Sequence, residues 1–333
     1  MDSNLKSKID LFIQNRQDVG NAFVFEYGLN CLVSSLILTN ADRKADVVKM
    51  KEVRKILASK ASILSSFRVS VELAVLTKMS IQSDPERYID DVLAVYKTLR
   101  GKRIIEYNCM VLSAMTIVDL GLKNEAEKIA KRMESIVDKL SKKHPLLSDE
   151  SDIAFAVLLA LSEKDDDELV NEIEGCYIYL KKELKVKADA NAIQGLSELL
   201  VISGGNLKEK CEKSAELFTT FKEHGARYGS YYEFSSLGAL AELDIDKDEL
   251  VDMVIETEEY LRREKGFGSW SLEKRERLMF AAIFVAEILS DSKDEVYSKA
   301  VNSAVISSAL ASIVAEEVAT MTCVSMAMNT TFD

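Results

Sequence analysis

Charged and apolar stretches alternate along this chain. Segments such as Glu125-Ala-Glu-Lys-Ile-Ala-Lys-Arg132 surround a narrow apolar stripe with acids and bases. The stretches 104–120, 151–161, 188–202, 231–243 and 271–289 are instead rich in apolar and small residues. Both kinds follow helical periodicity, so the pattern predicts paired helices in two layers. The charged helix of each pair shows one side to solvent, and the apolar helix is covered more completely.

Helix starts give the pairs a register. A capping residue followed three positions later by an acid marks a start, because the acid can reach back to the cap amide. Asn124 with Glu127, Asp165 with Glu168, Asn206 with Glu209 and Asp246 with Glu249 fit. The acids are separated by 41, 41 and 40 residues. Forty residues before Glu127 stands Arg87, preceded by Asp84-Pro85, a cap with proline in the first turn. One more step back reaches Asp42 and Ala45, and one step beyond Glu249 reaches 291–295 with a small insertion.

The interior agrees. Twelve positions after the register residue come Leu99, Leu180, Phe221 and Leu261, with Leu140 one place beyond the equivalent Lys139. Nine positions after it come Tyr96, Ile136, Tyr177 and Phe218, but Glu258 in the last unit. These offsets share a helix face. The expectation is all-α: tandem antiparallel helix pairs with a repeat of about 41 residues, forming one domain over 1–333. The repeat falls in the length range of HEAT and armadillo units without either signature. A first pair over 4–17 and 22–38 and closing Ala/Ser-rich helices within 290–333 bring the total to about seven pairs. An open α/α superhelix or solenoid and a closed toroid both fit.

Composition narrows the function classes. The 333 residues are 47% hydrophobic and 29% charged, with a formal net charge of -12. That charge opposes non-specific attraction to phosphate backbones, and no strong basic run stands out, so nucleic acid is not an expected partner. Two prolines suit long helices. The scattered Cys31, Cys109, Cys176, Cys211 and Cys323 read as buried thiols of a reducing, cytoplasmic compartment. The first ten residues do not resemble a secretory signal. The uncharged stretch 300–315 ends at Glu316 and Glu317, too short to span a bilayer. It reads as a packing helix, with self-association through small residues as the alternative, and membrane insertion is not expected.

Stacked pairs gather their internal joints along one edge, near 59–63, 101–104, 142–150, 186–188, 224–230 and 265–271, and function in repeat proteins often sits there. Arg68 and Glu72 stand four apart, either as a surface ion pair or as an anchor for an anion or a neighbouring repeat. Glu106 reads first as a surface acid near a helix start. His144 reads first as a polar joint residue, and the alternative groups His144, Asp149 and Asp152 as a base with its orienting acid. His224 sits at a helix end, and 163–168 reads as a solvated acidic turn rather than a calcium loop. Gly266-Phe267-Gly268 lacks the strand and third glycine of a nucleotide loop. No cofactor or metal site is expected. Tyr228, Tyr231, Tyr232, Phe234, Phe267 and Trp270 form an aromatic concentration that could pack a joint or dock a partner.

Five strings carry a family resemblance: Ser65-Ser-Phe-Arg68, His144-Pro-Leu-Leu-Ser-Asp149, Ala192-Ile-Gln-Gly-Leu-Ser197, Lys265-Gly-Phe-Gly-Ser-Trp-Ser271 and Arg277-Leu-Met-Phe-Ala-Ala282. In order and spacing the chain resembles the DUF4003 family, bacterial proteins of unknown function, over most of its length. The resemblance implies a bacterial, cytoplasmic protein and supplies no activity. It marks Arg68, His144, Asp149, Gly266, Gly268, Arg277 and Met279 as shared positions. Family members usually carry Thr where this chain has Ser148 and Phe where it has Leu146. The reading favoured from sequence is a protein- or peptide-interaction scaffold using Tyr228, Tyr231, Tyr232, Phe267 and Trp270. The alternative is an enzyme with Arg68, Glu106, His144, Asp149 and Asp152 converging in a toroid cavity.

Overall fold

The computed structural model describes residues 1–290 apart from 25, 27, 64, 69–70, 102–107, 144–149 and 270. Within them, Ser3–Ala22 (α1) pairs with Gly28–Asn40 (α2), and Val47–Lys60 (α3) with Glu72–Ser80 (α4). Pro85–Arg100 (α5) packs on Asn108–Asp119 (α6), and Ala126–Lys143 (α7) on Glu150–Leu159 (α8). Asp166–Ile178 (α9) packs on Ala190–Ser203 (α10), and Leu207–Glu223 (α11) on Leu237–Ala241 (α12). Lys247–Arg262 (α13) packs on Lys274–Ser290 (α14). All regular structure among the described residues is helical. The expected closing helices beyond residue 290 lie outside those residues.

The cap signals explain most starts. Asp84 accepts from the Arg87 amide at 3.0 Å with Pro85 opening the helix. Asn206 accepts from the Glu209 amide while donating to its carboxylate, and Asp246 accepts from two first-turn amides. Two starts differ from expectation. Asp46, not Asp42, caps α3, because Asp42 takes a left-handed turn at φ 50. Asn124 lies inside the 3-10 turn Lys123–Glu125, so it does not cap α7 from outside. The apolar segment expected over 231–243 is also broken. A 3-10 turn, Tyr232–Ser236, precedes the five-residue α12, whose Gly238 lies so close to α10 that a Cβ there would stand 2.9 Å from Leu199.

The first helix of each pair buries one stripe, and the second is covered nearly all round. Leu99, Leu140, Leu180, Phe221 and Leu261 are core, as the register requires. In α14 every residue from Arg277 to Ala286 is buried. Glu258, the exception in the apolar register, is buried too and ion-pairs with Arg277 at 2.6 Å. Second helices touch their neighbours in the next pair (α2 on α4, α6 on α8, α8 on α10, α12 on α14), as do first helices (α5 on α7, α7 on α9, α11 on α13). The first helix also meets α14, the last among the described residues. Phe12 of α1 lies 5.4 Å from Phe280 and 4.9 Å from Phe284 of α14, Lys8 pairs with Glu287, and the Tyr260 hydroxyl donates to Asp10 at 2.6 Å.

Candidate functional site

The joints between the helices of a pair build a cavity of about 690 Å³. Its first wall is the end of α9. The helix unwinds through the π turn Tyr179–Glu183, and the amides of Leu184 and Val186 close it by donating hydrogen bonds to the carbonyls of Tyr179 and Leu180. Lys185 takes a left-handed conformation at φ 53, and Lys187 follows two residues on. The second wall is the end of α11. Gly225 adopts φ 73 and the Ala226 amide returns to the Phe221 carbonyl at 2.8 Å, a helix stop that glycine makes inexpensive. The chain then runs out through Arg227, Tyr228 and Gly229. The Asp189 amide donates to the Ser230 carbonyl at 2.9 Å, which ties the two joints together.

The cavity is apolar on its walls and cationic at its rim. Leu184, Val186, Phe218 and Tyr228 supply the apolar surface. Tyr228 is buried, its ring 4.7 Å from Phe221 and its hydroxyl 2.6 Å from the Ser236 hydroxyl. Lys185, Lys187, Lys222, Arg227 and Arg275 line the cavity, and no described carboxylate lines it. The first four are exposed and make no hydrogen bond or ion pair among the described residues. Arg275 differs. Its Nε lies 3.0 Å from Glu233 and 2.8 Å from Glu273, and its guanidinium stands 5.7 Å from the centre of the Tyr231 ring.

Glu233 sits directly beneath this floor. It is 0% exposed, and a Cβ on Gly229 would meet its carboxylate at 2.5 Å, so only glycine leaves it room. Burial pushes the Glu233 carboxyl above the ordinary carboxylate range, and Arg275 works against that shift. Arg275 is therefore anchored from below, whereas the other four cations are held by no counter-charge. Like charges gathered around one apolar concavity repel, and an anion placed among them relieves the repulsion.

The residues expected from sequence fall in several places. Glu106, His144, Asp149 and Trp270 lie outside the described residues, and so does the side chain of Asp152, which belongs to α8. Arg68 lies beside buried Glu72 with Nε 3.8 Å from its carboxylate and donates to the Ala61 carbonyl at 3.4 Å. Arg54 of α3 holds Glu72 more closely. Burial and then Glu72 push the nearby Glu26 carboxyl upward, with Arg54 opposing. Among the aromatic candidates, Phe267 is in the core at 5.5 Å from Phe12, and the Tyr232 hydroxyl donates to Glu276 at 2.9 Å. Tyr231 is 50% exposed, with its ring beside the Arg275 guanidinium. Of the four described aromatic candidates, only Tyr228 lines the cavity itself. The cationic rim was not foreseen, since its residues come from three separate stretches and form no run.

His224 has a structural position at the end of α11. Its two ring nitrogens each lie 2.8 Å from a carboxylate of α13, Asp252 and Asp248. Both nitrogens donate only in the imidazolium form. Asp252 first, and then Asp248, therefore raise its pKa above the ordinary 6.5. A raised folded value means that the bridge contributes fully below the unfolded pKa and is lost as pH rises through the folded one. NMR titration of His224 is expected to give a midpoint above 6.5 that moves back toward it in Asp252→Asn. A wild-type midpoint at or below 6.5 would contradict the bridge.

Among the described residues there is no group of three or more His, Cys, Asp or Glu that could hold a metal. No described helix is long and apolar enough to cross a membrane. The family model described as "Protein of unknown function (DUF4003)" matches residues 19–319. No curated protein and no solved structure matches the chain.

Proposed function

We propose a function for this chain, which belongs to the DUF4003 family, from its basic cavity alone: it binds a small organic anion at the joint edge. The observation that carries this reading is the set of four cations without counter-charge around an apolar concavity, in a chain whose net charge is -12. Ligand cavities run from roughly 300 to 1,000 Å³ with apolar walls and a few convergent polar groups. This one, at about 690 Å³, has that make-up. An apolar or aromatic body would lie against Phe218 and Tyr228, with its anionic group among Lys185, Lys187, Lys222 and Arg227.

The proposal extends to the architecture. The helix pairs form a tandem repeat that closes into an α/α toroid, with α1 returning onto α14 and the joint edge as its mouth. The Phe12 ring cluster and the Lys8–Glu287 pair support closure. Cys31, Cys109, Cys176 and Cys211 are buried and form no disulfide among the described residues, which fits a bacterial cytoplasm. The peptide-scaffold reading keeps one favourable observation, the half-exposed Tyr231 ring beside Arg275. The enzyme reading built on Arg68, Glu106, His144, Asp149 and Asp152 gains no convergence among the described residues.

Calorimetric titration with phenyl phosphate tests the anion reading. Wild type is expected to bind, more weakly as salt rises. The double substitution Lys222→Glu/Arg227→Glu is expected to weaken binding about tenfold or more, about 1.4 kcal/mol for each factor of ten. Both side chains are exposed, so the thermal midpoint should hold. Equal binding by the double variant, or none by wild type, would remove the proposal. Preferential binding of an acidic peptide carrying no small-molecule competitor would favour the scaffold reading.

A further inference from the structure

We infer that Arg16 is a second oxyanion-binding position, separate from the basic cavity, that takes the carboxylate or phosphate group of a small ligand. Two guanidinium groups meet the joint 263–273. Arg277 is satisfied: it pairs with Glu258 and donates to the carbonyls of Phe267 and Leu272. Arg16 is not. Its Nε is buried and makes no hydrogen bond, and the side chain has no ion-pair partner among the described residues. Buried polar groups in folded chains are overwhelmingly paired, so a bare guanidinium nitrogen requires a reason.

Among the described residues, the surroundings offer the Arg16 Nε no acceptor. Three glycines from three elements border its head group, and one of them, Gly20, is close enough that a side chain there would crowd it. A Cβ on Gly20, one turn along α1, would stand 2.5 Å from Nη1. One on Gly266 would be 3.7 Å from Cζ, and one on Gly28 would be 3.9 Å from Nη2. Gly266 has φ +91, which keeps that position glycine. The joint cannot drift away, because Phe267 is packed on Phe12, one turn before Arg16.

Gly28 is also the first residue of α2, a 13-residue helix with no acid in its first turn. Its leading amides point toward the end where the guanidinium lies, and helix N-termini favour anions. The nearest acid in sequence on that side, Glu26, has its carboxyl set by burial, Glu72 and Arg54. An oxyanion seated here would take paired N–H bonds from the planar fork of Arg16, which a lysine cannot reproduce. The site shares no residue with the basic cavity, so either can fail without the other.

The test uses the full chain with labelled arginine side chains. The Nε–Hε signal of Arg16, assigned by its loss in Arg16→Lys, is followed during titration with sodium phosphate, sodium acetate and, for ionic strength, sodium chloride. Saturable movement with phosphate or acetate but not chloride is expected, while the Arg277 signal stays in place. Phosphate alone marks a phosphate ester as the ligand class, and acetate alone marks a carboxylate. The effective anion should also raise the thermal midpoint of wild type and of Lys222→Glu/Arg227→Glu, and not that of Arg16→Met. An Arg16 signal that ignores both anions, or tracks chloride equally, overturns the assignment whatever the variants do.

Discussion

Arg277→Met is expected to cost the fold about 3–5 kcal/mol, the range found when one partner of a buried ion pair is removed. Arg277 is 1% exposed and Glu258 2%. Removing the guanidinium leaves a carboxylate buried without its counter-charge. It also strips the carbonyls of Phe267 and Leu272 of their donor, and these carbonyls shape the joint 263–273. Denaturant unfolding followed by circular dichroism reads the loss as a lower midpoint. Glu258→Gln should cost less, because an amide oxygen can still accept from Nε. The double substitution Arg277→Met/Glu258→Leu should recover much of the loss, since apolar groups of similar size carry no desolvation cost. If Arg277→Met leaves the midpoint unchanged, the pair is not the anchor of this joint.

This pair also shows what the sequence made legible. The register position nine residues into each unit is apolar except at Glu258, and the break had no explanation from periodicity. Its partner stands 19 residues on, at the start of the next helix, where spacing arguments cannot reach. The helix pairs themselves were readable because caps and apolar stripes are local signals. Asn124 misled because a cap-like string is equally at home in the 3-10 turn that precedes α7. The break around α12 follows from a long-range close approach, Gly238 against Leu199, that no local preference announces.

The candidate site was legible only as an address. Lining up the joints pointed to 186–188 and 224–230, and the cavity lies there. Its charge was not visible, because Lys185 and Lys187, Lys222 and Arg227, and Arg275 sit in different stretches amid many acids. Tyr228 drew attention as an aromatic, but its value comes from a wall shared with Phe218. Arg16 carried no signal at all. An arginine on an amphipathic helix is ordinary until the three glycines around it and the missing acceptor are seen together.

Phe12→Ala should be the other severe substitution, at about 3–5 kcal/mol for emptying a fully buried aromatic site. Phe12 is 0% exposed, and its ring meets Phe267, Phe280 and Phe284 at 4.9 to 5.5 Å. All three lie more than 250 positions away in the chain, so the effect separates a closed ring of helix pairs from an open stack. In a closed ring, α1 is the last wall of the core around α14. Loss of the ring then frees both helices, and amide exchange should rise in α14 as well as in α1 and α2. In an open stack with an incidental end contact, the rise would stay within α1 and its own partner α2, since each repeat depends on its neighbours alone. Phe12→Leu keeps most of the apolar volume and should retain protection in α14. Exchange that rises near α2 while α14 stays protected would exclude closure, even if the total stability fell by the amount expected.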